Sequence, residues 1–199
     1  MESPTRVIDE GEDLVLLYKN VLNEKEKKVV FGSIVKHYED KLASDHPIMH
    51  GRVTNPRRKT CQISEEGILY RYNGSADSKV YPFTSTLLKV KKRVERIAES
   101  NYNYALINWY GDGDATIGEH SDNENNLVEG SDISSLSLGD TRYFYFRHKG
   151  DKDKKIGFDL EDGDLLVMKG TTQKNWKHAV PKRANKKLRI NITFRNVCK

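Results

Sequence analysis

His120 and Asp122 stand two residues apart in the segment GEHSDNE. On an extended chain, side chains two apart leave the same face. An imidazole and a carboxylate pointing into one space are two thirds of a facial metal site. His178, further along the chain, is a candidate third ligand. Two histidines and one carboxylate on one side of a metal leave positions open, and they are the ligands of non-haem Fe(II) oxygenases. An HxD triplet with a distant histidine is also a common accident, so an exposed loop or a satisfied core competes with the metal reading.

The closing segment RINITFR bears on that choice. At period two, Ile190, Ile192 and Phe194 fall on one side, while Arg189, Asn191, Thr193 and Arg195 fall on the other. An Fe(II) oxygenase of this type needs an electron donor that chelates the metal. Where the donor is 2-oxoglutarate, a fixed cation must hold its carboxylate, and an arginine fork matches a carboxylate with two parallel hydrogen bonds. Two arginines on one strand face can hold both ends of a dicarboxylate. A solvated edge strand would accept any polar mix there and gives no reason for arginine twice.

The elements that must position these groups follow from periodicity and turn chemistry. Leu14 to Leu17 reads as a first strand. Asn23 followed by Glu26 resembles a capping box, opening a helix with Val30, Ile34 and Tyr38 on one side. Pro47, His50, Gly51 and Pro56 mark a loop, Ile68 to Tyr72 a strand. Ser85 is read as the cap of a second helix with the stripe Leu87, Val90, Val94, Ile97 and Ala98. Its other side is basic: Lys89, Lys91, Lys92, Arg93 and Arg96.

From residue 104 the helical pattern stops. Short strands recur: YALINWY, TIGEHSD, ISSLSLG, TRYFYFRH, KIGFDL, DLLVMK, HAVP and RINITFR. Gly139-Asp140 reads as a hairpin turn, and KGDKDKKIG as an exposed hairpin loop. Such spacing predicts a sandwich or jelly roll. The expected class is α+β, mostly β. Residues 1–199 are expected to form one domain, with 1–100 supplying the helices and 101–199 the β core.

The 199 residues carry 34 Lys and Arg against 29 Asp and Glu, a net charge of +5 that favours a polyanionic partner, most simply nucleic acid. Cys61 and Cys198 lie in no CxxC or Cys/His run, which argues against a disulfide scaffold and a structural zinc. The polar, acidic start and the lack of a long apolar run predict a soluble, intracellular protein, nuclear or cytoplasmic, with no membrane contact and acting as a monomer.

In order and spacing, NWYGDGDATIGEHSDNE, ISSLSLGDTRYFYFRH, DGDLLVMKGTTQKNWKHAVP and RINITFR resemble the successive core motifs of the AlkB dioxygenases over residues 50 to 197. PRRK, YRYNG and NWKHAVP look like the branch that reverses alkylation on nucleobases. The resemblance implies a double-stranded β-helix core with N-terminal buttressing helices. It implies Fe(II) held by His120, Asp122 and His178, 2-oxoglutarate held by Asn108, Tyr110, Arg189, Asn191 and Arg195, and O2 as oxidant. Arg189 would take the carboxylate nearer the metal and Arg195 the distal one. Tyr70 and Tyr72 would stack on an extruded base, and Glu124 would approach it and favour bases made cationic by alkylation.

The reaction so implied is oxidative demethylation of 1-methyladenine or 3-methylcytosine in DNA or RNA, with release of formaldehyde, succinate and CO2. The alternative is a 2-oxoglutarate-dependent hydroxylase acting on a protein or a small molecule. One departure bears on the substrate: after PRRK the chain reads CQISEEG where an aromatic-Gly turn is usual. KVKKRVER and PKRANKKLR would hold the phosphates.

Overall fold

A computed structural model describes residues 3–44, 48–49, 52–53, 57–68, 79–124 and 126–198. The chain opens with strands β1 (Thr5–Glu10) and β2 (Asp13–Tyr18), then helix α1 (Glu24–Tyr38). Short strands β3 (Ala43–Ser44), β4 (Ile48–Met49) and β5 (Arg52–Val53) precede β6 (Lys59–Ser64), β7 (Val80–Pro82) and helix α2 (Ser85–Ala98). Then come β8 (Tyr104–Tyr110), β9 (Ile117–His120), β10 (Ile133–Gly139), β11 (Arg142–His148), β12 (Lys155–Leu160) and β13 (Leu165–Gly170). A four-residue helix, α3 (Thr172–Asn175), leads into β14 (Trp176–Val180), and β15 (Arg189–Arg195) closes the sheet.

Among the described residues the major sheet runs β1-β2-β13-β10-β15-β8-β6-β3, with β7 pairing parallel to β6. The minor sheet runs β12-β11-β14-β9. The two sheets face each other as a jelly roll. β15 lies between β10 and β8 in the major sheet, and all seven of its residues are buried. Its apolar side, Ile190, Ile192 and Phe194, packs under the helices with Val30, Ile34, Leu87, Val90 and Val94. Each such buried side chain contributes about 1.5–3 kcal/mol. Its polar side faces the space between the sheets. There Phe144, Phe146, Leu166, Met168 and Trp176 form a second core beside the cavity.

Several expectations hold. Asn23 caps α1, and its capping box with Glu26 is complete. The stripe on α2 is buried apart from the half-buried Ile97. KGDKDKKIG joins β11 and β12, which pair antiparallel, as a hairpin loop does.

Others are corrected. The cap of α2 is Thr84, whose side chain accepts from the Leu87 amide; Ser85 is the first helical residue. TRVIDE, in the polar, acidic start where no strand was expected, forms β1, because edge pairing to β2 needs one apolar side only, and Ile8 supplies it. Gly139-Asp140 is not a hairpin: β10 pairs with β13 and β15 in one sheet, β11 with β12 and β14 in the other. The turn carries the chain across the roll. On α2, Lys91 is buried and donates to Glu95 and to the Tyr102 carbonyl, both at 2.7 Å, while Arg93 forks onto Glu26 at 2.6 and 2.7 Å. Only Lys89, Lys92 and Arg96 of the expected basic face stand exposed. No helix among the described residues is long and apolar enough to cross a membrane.

Candidate metal centre and cosubstrate cavity

His120 ends β9, and His178 sits directly across from it on β14. Asp122 follows in the loop beyond β9. The pleat turns both rings inward, and they lie 4.3 Å apart between centroids. His120 Nε2 is 3.6 Å from one Asp122 oxygen, and His178 Nε2 is 4.0 Å from the other. Ligands at about 2.1 Å from one ion sit about 3 Å from each other in a facial array, so a small inward shift closes the set. One ligand atom from each of the three residues falls within 4.8 Å of the others.

The surroundings prepare the donors. His120 Nδ1 sits 2.9 Å from the Gly118 carbonyl; a proton donated there leaves Nε2 free to bind. His178 lies against Phe144 (centroids 5.5 Å, stacked) and edge-on to Phe146 at 5.9 Å. Burial pushes its pKa down to about 3, so the imidazole is neutral, as a ligand must be. Burial of Asp122 acts to raise its carboxyl, but Arg195, His178, His120 and Arg58 outweigh it and hold the pKa at about 2.

The loop around Asp122 has no regular structure and is fixed from the side. The Asp122 amide donates to the side chain of Gln173, on α3, at 2.9 Å, and Ser121 Oγ donates to the Trp176 carbonyl at 2.8 Å. Asp13 of β2 in turn ties down α3 and β14: it accepts from Thr171, Asn175 and the indole of Trp176 at 2.5–3.1 Å.

The cavity runs from this cluster along β15. Arg195 Nη2 reaches Asp122 at 2.8 Å and Nη1 reaches Glu124 at 2.9 Å. Asn191 and Asn108, register partners on β15 and β8, are joined at 3.0 Å, and Arg58 donates to the Asn108 oxygen. Asn191 also donates to Ser135 Oγ at 2.7 Å. At the other end Arg189 lies with its guanidinium 5.1 Å from the Tyr110 ring centre and Nη2 2.9 Å from Ser137 Oγ.

The order of the two arginines is therefore the reverse of the expectation. Arg195 abuts the metal ligands, and Arg189 sits at the far end. The physical reason is strand direction: β15 starts beside Tyr110 and the β10 turn and finishes beside the Asp122 loop.

Arg189 is the telling residue. It is 1% exposed, and among the described residues its Nε and Nη1 have no hydrogen-bond partner. Burial, with Arg142 nearby, lowers its pKa to about 10, which still leaves it charged at neutral pH. Arg142 makes the contrast: it is equally buried but donates to the carbonyls of Asp112, Ala115 and Pro181 at 2.8–3.0 Å. A buried cation without its anion is costly. The donor set fits a divalent metal at one end of the cavity and the free carboxylate of a chelating diacid at the other.

Of the expected site residues, the structure brings together His120, Asp122, His178, Asn108, Tyr110, Arg189, Asn191, Arg195 and Glu124. Tyr70 and Tyr72 lie outside the described residues. Arg58, Ser135, Ser137 and Gln173 were not expected. The serines could have been found, since ISSLSLG places Ser135 and Ser137 at period two with the apolar Leu136 between. Nothing local marks Gln173.

A jelly roll with a two-histidine, one-carboxylate cluster between its sheets is the architecture of mononuclear non-haem oxygenases. The chain belongs to the 2OG-Fe(II) oxygenase superfamily, whose family model matches residues 14–195. Fe(II), 2-oxoglutarate and O2 are the cofactors that membership brings. The chain is 37% identical over 150 residues to the DNA oxidative demethylase ALKBH2 of Bos taurus, covering 70% of this chain and 53% of that one. It is 36% identical over 120 residues to the alpha-ketoglutarate-dependent dioxygenase alkB homolog 3 of Mus musculus, covering 56% and 42%. The chain thus spans about half the length of these curated relatives. In fold it is similar to the structure of OsALKBH1, with a TM-score of 0.63 at 18% identity over 92% of this chain and 97% of that one.

Proposed function

We propose that the protein removes methyl groups from ring nitrogens of alkylated bases in DNA or RNA, 1-methyladenine and 3-methylcytosine being the type substrates. Fe(II), with 2-oxoglutarate and O2, supplies the oxidation: the diacid leaves as succinate and CO2, and the methyl carbon leaves as formaldehyde. His120, Asp122 and His178 hold the metal. Arg189, with Tyr110 and Ser137 beside it, holds the distal carboxylate, and Arg195 steadies both Asp122 and the metal-side carboxylate. Asn108 and Asn191 fix the path of the diacid between them. The observation that carries the reading is the uncompensated guanidinium of Arg189 in the same cavity as the three ligands.

Glu124 supports the choice of substrate. Its Oε1 is taken by Arg195, but Oε2 is buried with no hydrogen-bond partner among the described residues. A carboxylate oxygen so placed accepts an exocyclic amino proton and favours a base carrying positive charge. The names of the similar proteins point to nucleic acid as well. The 199 residues are taken as one domain, in which strands from the first hundred residues extend the major sheet at both edges.

The test is a panel of oligonucleotides carrying 1-methyladenine, 3-methylcytosine or N6-methyladenine, in DNA and RNA, paired and unpaired, read by formaldehyde and succinate release. Coupled release from the first two supports the reading. Succinate without formaldehyde from any oligonucleotide, but with turnover of a peptide or small molecule, would overturn it.

A further inference from the structure

The outward face of the minor sheet carries residues that neither the cavity nor the core uses. Three cations stand side by side across it: Lys155 on β12, Arg147 on β11 and Lys177 on β14 are direct cross-strand partners. Like charges set opposite one another destabilise a sheet. Glu119 answers Arg147 at 2.8 Å, and among the described residues no salt bridge reaches Lys155 or Lys177. Lys177 also lowers the pKa of Lys149, after burial, which places a fourth cation nearby.

The next row along the sheet is Gly157, Tyr145 and Ala179, one aromatic between two residues with almost no side chain. Tyr143 follows, opposite Asp159, and its ring lies over Gly157: a β-carbon built there would stand 1.9 Å from the Tyr143 hydroxyl. The two rings are 6.2 Å apart and 34° from parallel. Lys155 Nζ lies 3.9 Å from the Tyr145 ring centre, and the Arg183 guanidinium 5.7 Å from that of Tyr143. Strand propensity accounts for a tyrosine facing solvent. It does not account for two of them on one sheet face beside a row of three cations.

We propose that this face is a platform for single-stranded nucleic acid, with bases on Tyr143 and Tyr145 and phosphates on Lys155, Arg147 and Lys177. Every base has a flat π face, and exposed aromatics on a sheet beside cations are the combination that unpaired strands use. A duplex has no free base faces to offer. An acidic protein would engage the lysines and leave the rings idle. An exposed ammonium holds a ring more weakly than a stacked base does, so Lys155 yields Tyr145 and stays within reach of the backbone. The cavity lies on the other side of this same sheet, lined from it by Ile117, His120, Phe144 and His178, and β9 is its edge strand. A strand leaving the cavity over β9 meets β11 two strands in, about 10 Å away. The inference rests on nucleic acid being the substrate.

The test compares the full chain with its Tyr143→Ala/Tyr145→Ala, Tyr143→Phe/Tyr145→Phe and Lys155→Ala/Lys177→Ala variants. Binding of an unmethylated oligo-dT 20-mer, alone and annealed to oligo-dA, is read by fluorescence anisotropy. Turnover is read on a trinucleotide and on a 20-mer, each carrying one 1-methyladenine. The alanine pair should weaken 20-mer binding tenfold or more and raise its KM, with kcat and trinucleotide turnover unchanged. The phenylalanine pair should behave as wild type. The lysine variant should flatten the salt dependence of log Kd by about 1.4, two phosphates' worth. Wild-type affinity in the alanine pair, or equal losses for duplex and single strand, overturns the platform. Tight 20-mer binding without turnover of either methylated oligonucleotide would instead sink the substrate reading and keep the platform.

Discussion

The guanidinium of Arg195 lies 2.8 Å from the carboxylate of Asp122. Both groups are buried, so the pair is neither screened nor competed away by water. A residue of the last strand thus fixes the charge and orientation of a loop carboxylate. Arg195→Met should weaken Fe(II) or Mn(II) binding by about 10–100-fold, the usual cost of losing a partner behind a metal ligand. Isothermal titration with metal alone measures this. Unchanged metal affinity would confine Arg195 to cosubstrate binding.

Arg189 should behave in the opposite way. Arg189→Met should leave metal affinity intact and raise the 2-oxoglutarate Kd at least tenfold, because it removes the distal anchor. Without the diacid the variant should be as stable as wild type or more so, since it no longer buries an uncompensated charge. Melting temperatures with and without 2-oxoglutarate check both parts: the wild type should gain stability on adding the diacid and the variant should not.

His120→Ala and Asp122→Ala should each abolish succinate formation while circular dichroism stays that of the folded protein. Neither side chain belongs to the apolar core, and His120 is half-exposed. A residual rate above a few per cent of wild type would remove the assigned residue from the metal.

Asp13→Ala should act at a distance. It removes the acceptor for three donors that hold α3 and β14, at a cost of about 2–4 kcal/mol in stability. Because α3 carries Gln173, the partner of the Asp122 amide, metal affinity should fall as well. Gln173→Ala should reproduce the metal loss with much less loss of stability. Chemical denaturation and metal titration on the two variants separate these effects.

Much of this site was legible in the residues themselves. RINITFR declared its two sides because a central strand between a helix layer and a cavity must differ front and back, and the pleat keeps them apart. HxD was legible only together with it. The order of the two arginines was not, since that depends on which end of β15 meets the Asp122 loop, and strand direction in a sheet is a long-range property. For the same reason Gly139-Asp140 misled: local turn chemistry says that the chain bends, not which sheet receives it. Lys91 and Arg93 read as part of a basic face open to phosphates, although their acidic partners lie on the same helix in one case and on α1 in the other.

Since Arg189 and Arg195 both hang from one seven-residue strand paired on either side, their separation is a ruler cut into the backbone. One residue inserted between them would swing one of the pair toward the apolar helix layer, whichever neighbour kept its pairing. With Arg189 and Arg195 holding the two carboxylates as proposed, the length of diacid that fits would be written in the hydrogen-bond ladder of this strand.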